Sequence, residues 1–143
     1  MQLLILITLF SSLFSEILNV PDSYTTIQEA VNASSSNDTI LINNGYYEEE
    51  VIISRKNLTL ASYYIFSQDN KYITNTTISS YHSPLTIIQD SFVKIIGLTF
   101  SSNVNGLGIT DSEVQLKNTI IFNAYDEGFA IDLSNSNVNI LKS

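Results

Sequence analysis

The chain has 143 residues, of which 44% are hydrophobic and 10% aromatic, so it can bury the core of one folded domain. Acidic residues outnumber basic ones 14 to 6, and the formal charge of -8 argues against nucleic acid or an anionic membrane surface as a partner. The absence of cysteine excludes disulfide bonds, thiolate metal sites and cysteine nucleophiles.

The N-terminal segment is apolar and uncharged. The run of mostly large apolar residues from Leu3 to Phe14 has the length of a signal-peptide core and is well short of the roughly 20 residues that span a bilayer. No charged side chain precedes Glu16. We therefore predict a signal peptide over residues 1–15, a secreted or cell-surface protein, and no stable membrane span once the signal peptide is removed. An uncleaved anchor or a buried apolar strand is the alternative.

A linker and a short capping helix are predicted over residues 16–37. Within them, residues 24–31 show the i, i+3, i+4 spacing of an amphipathic helix. Its apolar face consists of Ile27, Ala30 and Val31. A capping box starts at Thr25 or at Thr26, and the Asn and Ser residues that follow the helix favour a turn.

Short β-rich segments follow from Thr39, and we place the coils of the fold over residues 38–143. The clearest of them form a repeat: the six residues that begin at Asp90 return at Asp111 and again at Asn135, at offsets of 21 and 24 residues. Each copy has two turn-forming residues and then apolar residues in alternation, too little to close a core unless successive copies stack. The equivalent apolar positions include Val93, Val114 and Val138.

A second recurrence indicates that each turn of the stack holds more than one strand. Residues 106–109 return as residues 128–131, at an offset of 22, close to the period of the first repeat. Strands that are successive copies of one segment run in the same direction, and parallel crossovers are almost always right-handed. We therefore predict an all-β fold, a right-handed parallel β-helix with a short N-terminal capping α-helix.

A leucine-rich repeat is the competing solenoid. Residues 95–103 fit its L-x-x-L-x-L-x-x-N pattern once. The next copy does not fit, because Thr119 occupies the second leucine position and Asn123 comes one residue early. This mismatch favours the β-helix.

Three segments resemble the pectin lyase-like superfamily of right-handed parallel β-helix proteins. Residues 20–31 look like the N-terminal cap of secreted β-helix repeat proteins and are similar to the start of pectin methylesterases. Residues 45–53 match the G-x-Y-x-E-x-V-x-I pattern of both groups, and residues 95–100 resemble the L-x-G-F-T-I coil of the repeat proteins. The resemblance covers nearly all of the chain after the predicted signal peptide, and it implies the fold rather than a particular chemistry.

Two residues of the second segment are expected to have structural roles. Gly45 is predicted to adopt a positive φ that other residues resist. Glu49 alternates with apolar neighbours, so its carboxylate needs donors such as backbone N–H groups, Arg55 or Lys56. We predict a structural rather than a catalytic role for Glu49.

The sequence assigns no catalytic residues. The resemblance implies that a pectin methylesterase carries two Asp, an Arg and Gln residues on later coils, and those positions have no counterpart here. Asp90 and Asp111 share one repeat position, where stacking would bring them about 4.8 Å apart. A hard cation such as Ca²⁺ would bridge two such carboxylates, whereas the simpler alternative is a pair of solvated turn residues. No other cofactor is expected.

Residues 63–75 interrupt the repeat and are long for a loop without a role. Their aromatic residues offer flat apolar faces with polar edges, which suit sugar rings. The candidate ligand-binding residues are Tyr63, Tyr64, Phe66 and Tyr72. The alternative is a loop folded back over the coil with these rings buried.

Two main functions remain open. The first is a non-catalytic secreted or cell-surface segment that binds a polysaccharide or another surface protein. The second is the N-terminal part of a carbohydrate-active enzyme, a pectin-type polysaccharide esterase or lyase, whose catalytic coils are missing from this chain. A purely structural role in a larger assembly is the third. Because the last residues, from Val138 onward, lie in mid-repeat, we expect the C-terminal end to contact further β-helix coils or to self-associate.

Overall fold

The computed structural model describes residues 14–123 and 128–141, which fold as a right-handed parallel β-helix, as predicted. In chain order the strands are β1 Ile17–Val20, β2 Thr39–Ile42, β3 Gly45–Glu48, β4 Val51–Ser54, β5 Asn57–Ser62, β6 Thr76–Ser80, β7 Leu85–Ile88, β8 Phe92–Ile96, β9 Thr99–Ser102, β10 Leu107–Thr110, β11 Glu113–Lys117, β12 Ile120–Asn123, β13 Ile131–Ser134 and β14 Asn137–Leu141. The helices are α1 Ile27–Ala33, α2 Tyr64–Ser67 and α3 Lys71–Thr74.

Each complete coil contributes one strand to each of three parallel sheets, and β1 and β14 add one further strand each to sheet A. Sheet A has the order β1-β2-β5-β8-β11-β14, sheet B has the order β12-β9-β6-β3, and sheet C has the order β13-β10-β7-β4. Side chains alternate along a strand, so every second residue of each sheet points into the stack. The predicted alignment of the first repeat is confirmed, because Val114 pairs with Val93 on one side and with Val138 on the other.

The predicted alignment of residues 106–109 with residues 128–131 is wrong by two residues. Leu107 pairs with Ile131 and Ile109 pairs with Leu133, so the offset in sheet C is 24 residues and not 22. The corner between β12 and β13 is longer than the corner between β9 and β10, so β13 begins later after β12 than β10 begins after β9. A slip of two residues keeps the same side chains facing inward, so the apolar pattern alone does not distinguish the two alignments.

The interior consists of apolar columns, one or two from each sheet. Fully buried members include Leu60 and Ile95 in sheet A, Ile78 and Phe100 in sheet B, and Ile53 and Ile87 in sheet C. Phe100 is the largest of the fully buried side chains. Such stacking lets each coil cover the apolar surface of the next, which is how a solenoid acquires a core.

Helix α1 covers the first coil, as the sequence predicted. Of the two possible capping boxes, the second forms: the Glu29 N–H donates to Oγ1 of Thr26 (3.1 Å), and Oε2 of Glu29 accepts the Thr26 N–H (3.2 Å). The predicted apolar face is buried, with Ile27, Ala30 and Val31 all in the core. The helix therefore closes one end of the stack and protects its apolar cross-section from water.

Strand β1 lies inside the stretch that was predicted to be a linker. It pairs in parallel with β2, and its residues Leu18 and Val20 enter the core. Four residues are too few for a reliable periodicity. The predicted signal peptide, residues 1–15, lies outside the described residues apart from residues 14 and 15. Across the described ranges, the helices are too short to reach from one side of a membrane to the other.

Gly45 does not have the positive φ that was predicted for it. Among the glycines of the described ranges, Gly97 has that conformation (φ 68°). At Gly45 the constraint is space: a Cβ there would lie 3.1 Å from Cε2 of Tyr47, whose ring folds over the glycine. The prediction of a positive φ is therefore wrong, and a larger residue at this position would meet the ring of Tyr47.

The short corners between sheets C and A explain the repeated Asp-Ser and Asn-Ser dipeptides. Asp111 and Asn135 both have a φ of 48°, in the left-handed region that Asp and Asn tolerate better than most residues. The serines that follow form a ladder: the Ser91 N–H donates to Oγ of Ser112 (3.3 Å), and the Ser112 N–H donates to Oγ of Ser136 (3.1 Å). The first residue of the dipeptide makes the turn, and the second links successive coils.

At the other end of the stack, β12, β13 and β14 each have one neighbouring strand among the described residues. Ile140 and Leu141 are exposed there. The expectation that this end contacts further coils or a second copy of the chain stays a prediction.

Candidate functional site

Residues 63–75, inserted between β5 and β6, fold into the two single-turn helices α2 and α3. The insertion is anchored to sheet B. Ile73 of α3 is buried, and its carbonyl accepts a hydrogen bond from Oγ1 of Thr99 in β9 (2.8 Å). The segment therefore lies against the outer face of the sheet instead of extending freely into solvent.

Tyr64 fixes the other side of the insertion and does not belong to a ligand-facing surface, contrary to its inclusion among the candidate binding residues. It is only 6% exposed, and its hydroxyl accepts a hydrogen bond from the side-chain amide of Asn118. Its Cβ lies so close to Gly97 that a Cβ on that glycine would be 2.4 Å away. One turn of helix directs Tyr64 toward the coil and its neighbour Tyr63 toward solvent.

The other three candidates form one group at the surface, the aromatic cluster of Tyr63, Phe66 and Tyr72, in which Tyr63 and Phe66 are exposed and Tyr72 is half-buried. The ring centroids of Tyr63 and Phe66 are 6.2 Å apart at an interplanar angle of 67°, and those of Tyr63 and Tyr72 are 5.9 Å apart at 33°. Phe66 is 60% exposed and Tyr63 is 37% exposed. Aromatic rings that pack on one another at the surface, and not in the core, offer a preformed contact area at little entropic cost.

A charge pair borders the aromatic cluster. Nζ of Lys71 lies 2.9 Å from Oδ2 of Asp69 and 5.0 Å from the ring centroid of Tyr72. The backbone N–H and the side chain of Lys71 donate hydrogen bonds that lower the pKa of Asp69, and the side-chain hydrogen bond to Asp69 raises the pKa of Lys71. Both groups stay charged around neutral pH, so the insertion carries a neutralised pair.

A groove of about 450 Å³ separates α3 from the corner between β11 and β12. It is lined by Asn70, Ile73, Thr74, Asn118, Thr119 and Ile120. All six side chains are uncharged; four carry a carboxamide or a hydroxyl group and two are apolar. The spacing of the three residues from α3 and its N-cap places the groove on the side of the helix away from Tyr72.

The apolar run at β12 borders this groove, and its orientation was not predicted. Ile121 packs against the core, whereas Ile120 and Phe122 point outward and are exposed. Two large apolar residues are thus added to the outer face of sheet B beside the insertion.

The metal-site candidates Asp90 and Asp111 lie on adjacent coils at a corner, and the Asp90 N–H donates to the carbonyl oxygen of Asp111 (2.7 Å). Oδ1 of Asp111 accepts a hydrogen bond from Nδ2 of Asn135 (2.6 Å). Across residues 14–123 and 128–141, no three His, Cys, Asp or Glu side chains come together. Two exposed carboxylates, one of them already bonded to an amide, make a poor cage for Ca²⁺, and calcium binding stays a prediction.

Glu49 has the structural role that was predicted for it. Its Oε1 accepts the Ile27 N–H (3.0 Å) and its Oε2 accepts the Gln28 N–H (3.1 Å), at the N-terminus of α1. The donors are backbone N–H groups, whereas Lys56 donates instead to the carbonyl of Ser34 (2.6 Å). The carboxylate therefore ties the capping helix to the corner that follows β3.

We expect the substitution Glu49→Gln to lower the free energy of unfolding by about 1 kcal/mol, because it removes a charge from a helix N-terminus, eliminates one of the two hydrogen bonds and weakens the other. Urea unfolding followed by circular dichroism measures the change. The exposed neighbour Glu48→Gln is the control, with the same loss of charge and an expected change of less than about 0.5 kcal/mol. Equal losses in both variants would contradict the assignment.

The three sheets define this chain as a parallel β-helix protein. Among solved structures, it is similar to a crystal structure of a pectin methylesterase mutant in complex with a hexasaccharide, with a TM-score of 0.64 and 14% sequence identity. The match covers 88% of this chain and 49% of the other, so the chain spans about half the length of that protein. No family model matches the chain, and no curated protein matches it significantly. At this identity the likeness shows the fold.

Proposed function

We propose that this chain is a glycan-binding β-helix segment of a secreted or cell-surface protein, with no catalytic role of its own. The observation that carries the proposal is the aromatic cluster of Tyr63, Phe66 and Tyr72 on an insertion into an otherwise regular stack. Its rings contact one another and solvent instead of filling the core. Flat rings with polar edges stack on the C–H faces of sugars.

Two further observations support a carbohydrate ligand. The pectin methylesterase mutant of similar fold was solved with a hexasaccharide. The apolar, uncharged N-terminal run supports export to a place where polysaccharides occur. The acidic composition makes nucleic acid a poor alternative partner.

The test is binding of the folded chain to a glycan array that holds plant, fungal and bacterial polysaccharides, followed by titration of each bound glycan. We expect Tyr63→Ala and Tyr72→Ala each to weaken binding about tenfold, equivalent to about 1.4 kcal/mol, because truncating a central aromatic residue removes most of its contact area. Tyr46→Ala is the matched control, because Tyr46 is also an exposed tyrosine but lies on β3, outside the insertion, and we expect its removal to leave the affinity unchanged. Absence of any bound glycan, or equal affinity of all four proteins, would overturn the proposal.

A second candidate function is the N-terminal part of a pectin-type polysaccharide esterase or lyase of the pectin lyase-like superfamily. The observation that favours it is the fold likeness to a pectin methylesterase over 88% of this chain. In that case the catalytic residues lie on coils that follow these. Methanol release from methyl-esterified pectin, or its cleavage to unsaturated products, by the product of the complete gene would support this candidate, and the absence of both together with tight glycan binding would favour the first.

A further inference from the structure

We infer that the insertion selects uncharged glycans and rejects acidic ones, an inference that rests on the glycan-binding function proposed above. It names the ligand class of the same surface. The positions of the cations in the described part of the chain bear on this selectivity, because a polyuronate or sulfated glycan needs unpaired positive charge at its binding surface.

Lys71 is the cation beside the aromatic cluster, and it is already neutralised. Oδ2 of Asp69 lies 2.9 Å from its ammonium group, on the same insertion. The ammonium group lies 5.0 Å from the ring centroid of Tyr72, so a sugar stacked on that ring would meet the ammonium together with its paired carboxylate. A sugar carboxylate would gain less from this pair than from a lone ammonium, because Asp69 repels it.

Three of the remaining described cations have other places on the stack: Arg55 lies at a corner between sheets C and A, Lys56 contacts the carbonyl of Ser34, and Lys94 lies over the ring of Phe92. The fourth, Lys117, ends β11 one residue before Asn118 of the groove, on the side of α3 away from Tyr72. The outer face of sheet B, on which the insertion lies, adds an anion, the exposed Glu48 of β3. The formal charge of the whole chain is -8. The acidic chain as a whole therefore repels an anionic polymer, an effect that salt screens beyond a Debye length of about 10 Å at 0.1 M salt.

The groove beside α3 has the chemistry of an uncharged, hydroxyl-rich ligand. Asn70, Thr74 and Thr119 present carboxamide and hydroxyl groups, and Ile73 and Ile120 present apolar surface. Hydroxyl groups of a neutral sugar both donate and accept hydrogen bonds, so they satisfy such a surface without a charge to desolvate.

The experiment measures binding of the folded chain to the neutral members of the glycan array and to its uronic-acid and sulfated members at 50 mM salt. We expect binding to neutral glycans alone. The variant Asp69→Asn leaves Lys71 unpaired, and we expect it to bind acidic members about fivefold more tightly than the parent, an advantage that 0.5 M salt removes. Asp132→Asn is the matched control, because it makes the same change of net charge on β13 in sheet C.

The double variant Asp69→Asn with Lys71→Gln tests whether the unpaired cation or the loss of the carboxylate causes the tighter binding. We expect its affinity for acidic glycans to return to that of the parent. Binding of the parent to acidic glycans as tightly as to neutral ones would overturn the inference and leave the proposed function standing. An equal gain in Asp69→Asn and Asp132→Asn would also overturn it, because the effect would then be one of net charge. An array without any bound glycan would overturn the proposed function, and the inference with it.

Discussion

The substitution Phe100→Ala is expected to lower the free energy of unfolding by about 3 to 5 kcal/mol. Phe100 is fully buried in β9, at the centre of sheet B, where it pairs with Ile78 on one side and with Ile121 on the other. The space left by the ring cannot close easily, since each coil is held in place by its backbone ladders to the next. The substitution therefore leaves a cavity and also loses the transfer free energy of the buried ring. Urea unfolding followed by circular dichroism gives the change.

Phe122→Ala is the matched control for this prediction. Phe122 lies on the adjacent strand β12 and is also a phenylalanine, but its side chain points outward and is 59% exposed. We expect the control to change stability by less than about 0.5 kcal/mol. Comparable losses in the two variants would show that sheet B is not oriented as described, and the inward and outward rows of the whole sheet would then have to be exchanged.

The repeats predicted the architecture because their chemistry is local. The Asp-Ser and Asn-Ser segments each contain a residue that tolerates the left-handed region, a serine that links coils, and two apolar residues in alternation. These features are enough to predict the register of sheet A, because none of them depends on the other two sheets. The predicted register of sheet C is wrong by two residues, because it relied on the resemblance between residues 106–109 and 128–131. A slip of two residues leaves the same side chains facing inward, so the apolar pattern does not reveal it.

The candidate site was less predictable than the stack. The sequence indicates that residues 63–75 are an insertion rich in aromatic residues. A helix of a single turn is too short to show a hydrophobic periodicity, so the sequence does not predict which of these residues are buried. Whether a ring faces the coil or the solvent depended on the tertiary contact of Tyr64 with Gly97 and Asn118, residues that are distant in sequence. The groove beside α3 has the same origin, because its two walls come from different coils.

The substitution Gly97→Ala is expected to lower the free energy of unfolding by about 2 to 5 kcal/mol. Its φ of 68° costs an L-residue about 1 to 2 kcal/mol. The added Cβ would lie 2.4 Å from Cβ of Tyr64 and 2.9 Å from Oγ of Ser62, an overlap that costs about 1 to 3 kcal/mol more in a packed interior. Neither neighbour can move away easily, because both atoms are on or next to the backbone of β5 and α2. Thermal and urea unfolding measure the loss.

Gly108→Ala is the control, since the glycine has no positive φ and a Cβ there would meet nothing closer than Oγ1 of Thr86 at 3.7 Å. We expect it to be neutral or to stabilise the protein by up to about 1 kcal/mol, through the smaller entropy of the unfolded chain. Gly97→Ala should also weaken glycan binding in the fraction that is still folded, because displacement of Tyr64 shifts the turn that holds Tyr63 and Phe66 together. A variant that is less stable but binds glycan with unchanged affinity would show that the aromatic cluster keeps its geometry without the Tyr64 anchor, and the link between the stack and the binding surface would then be absent.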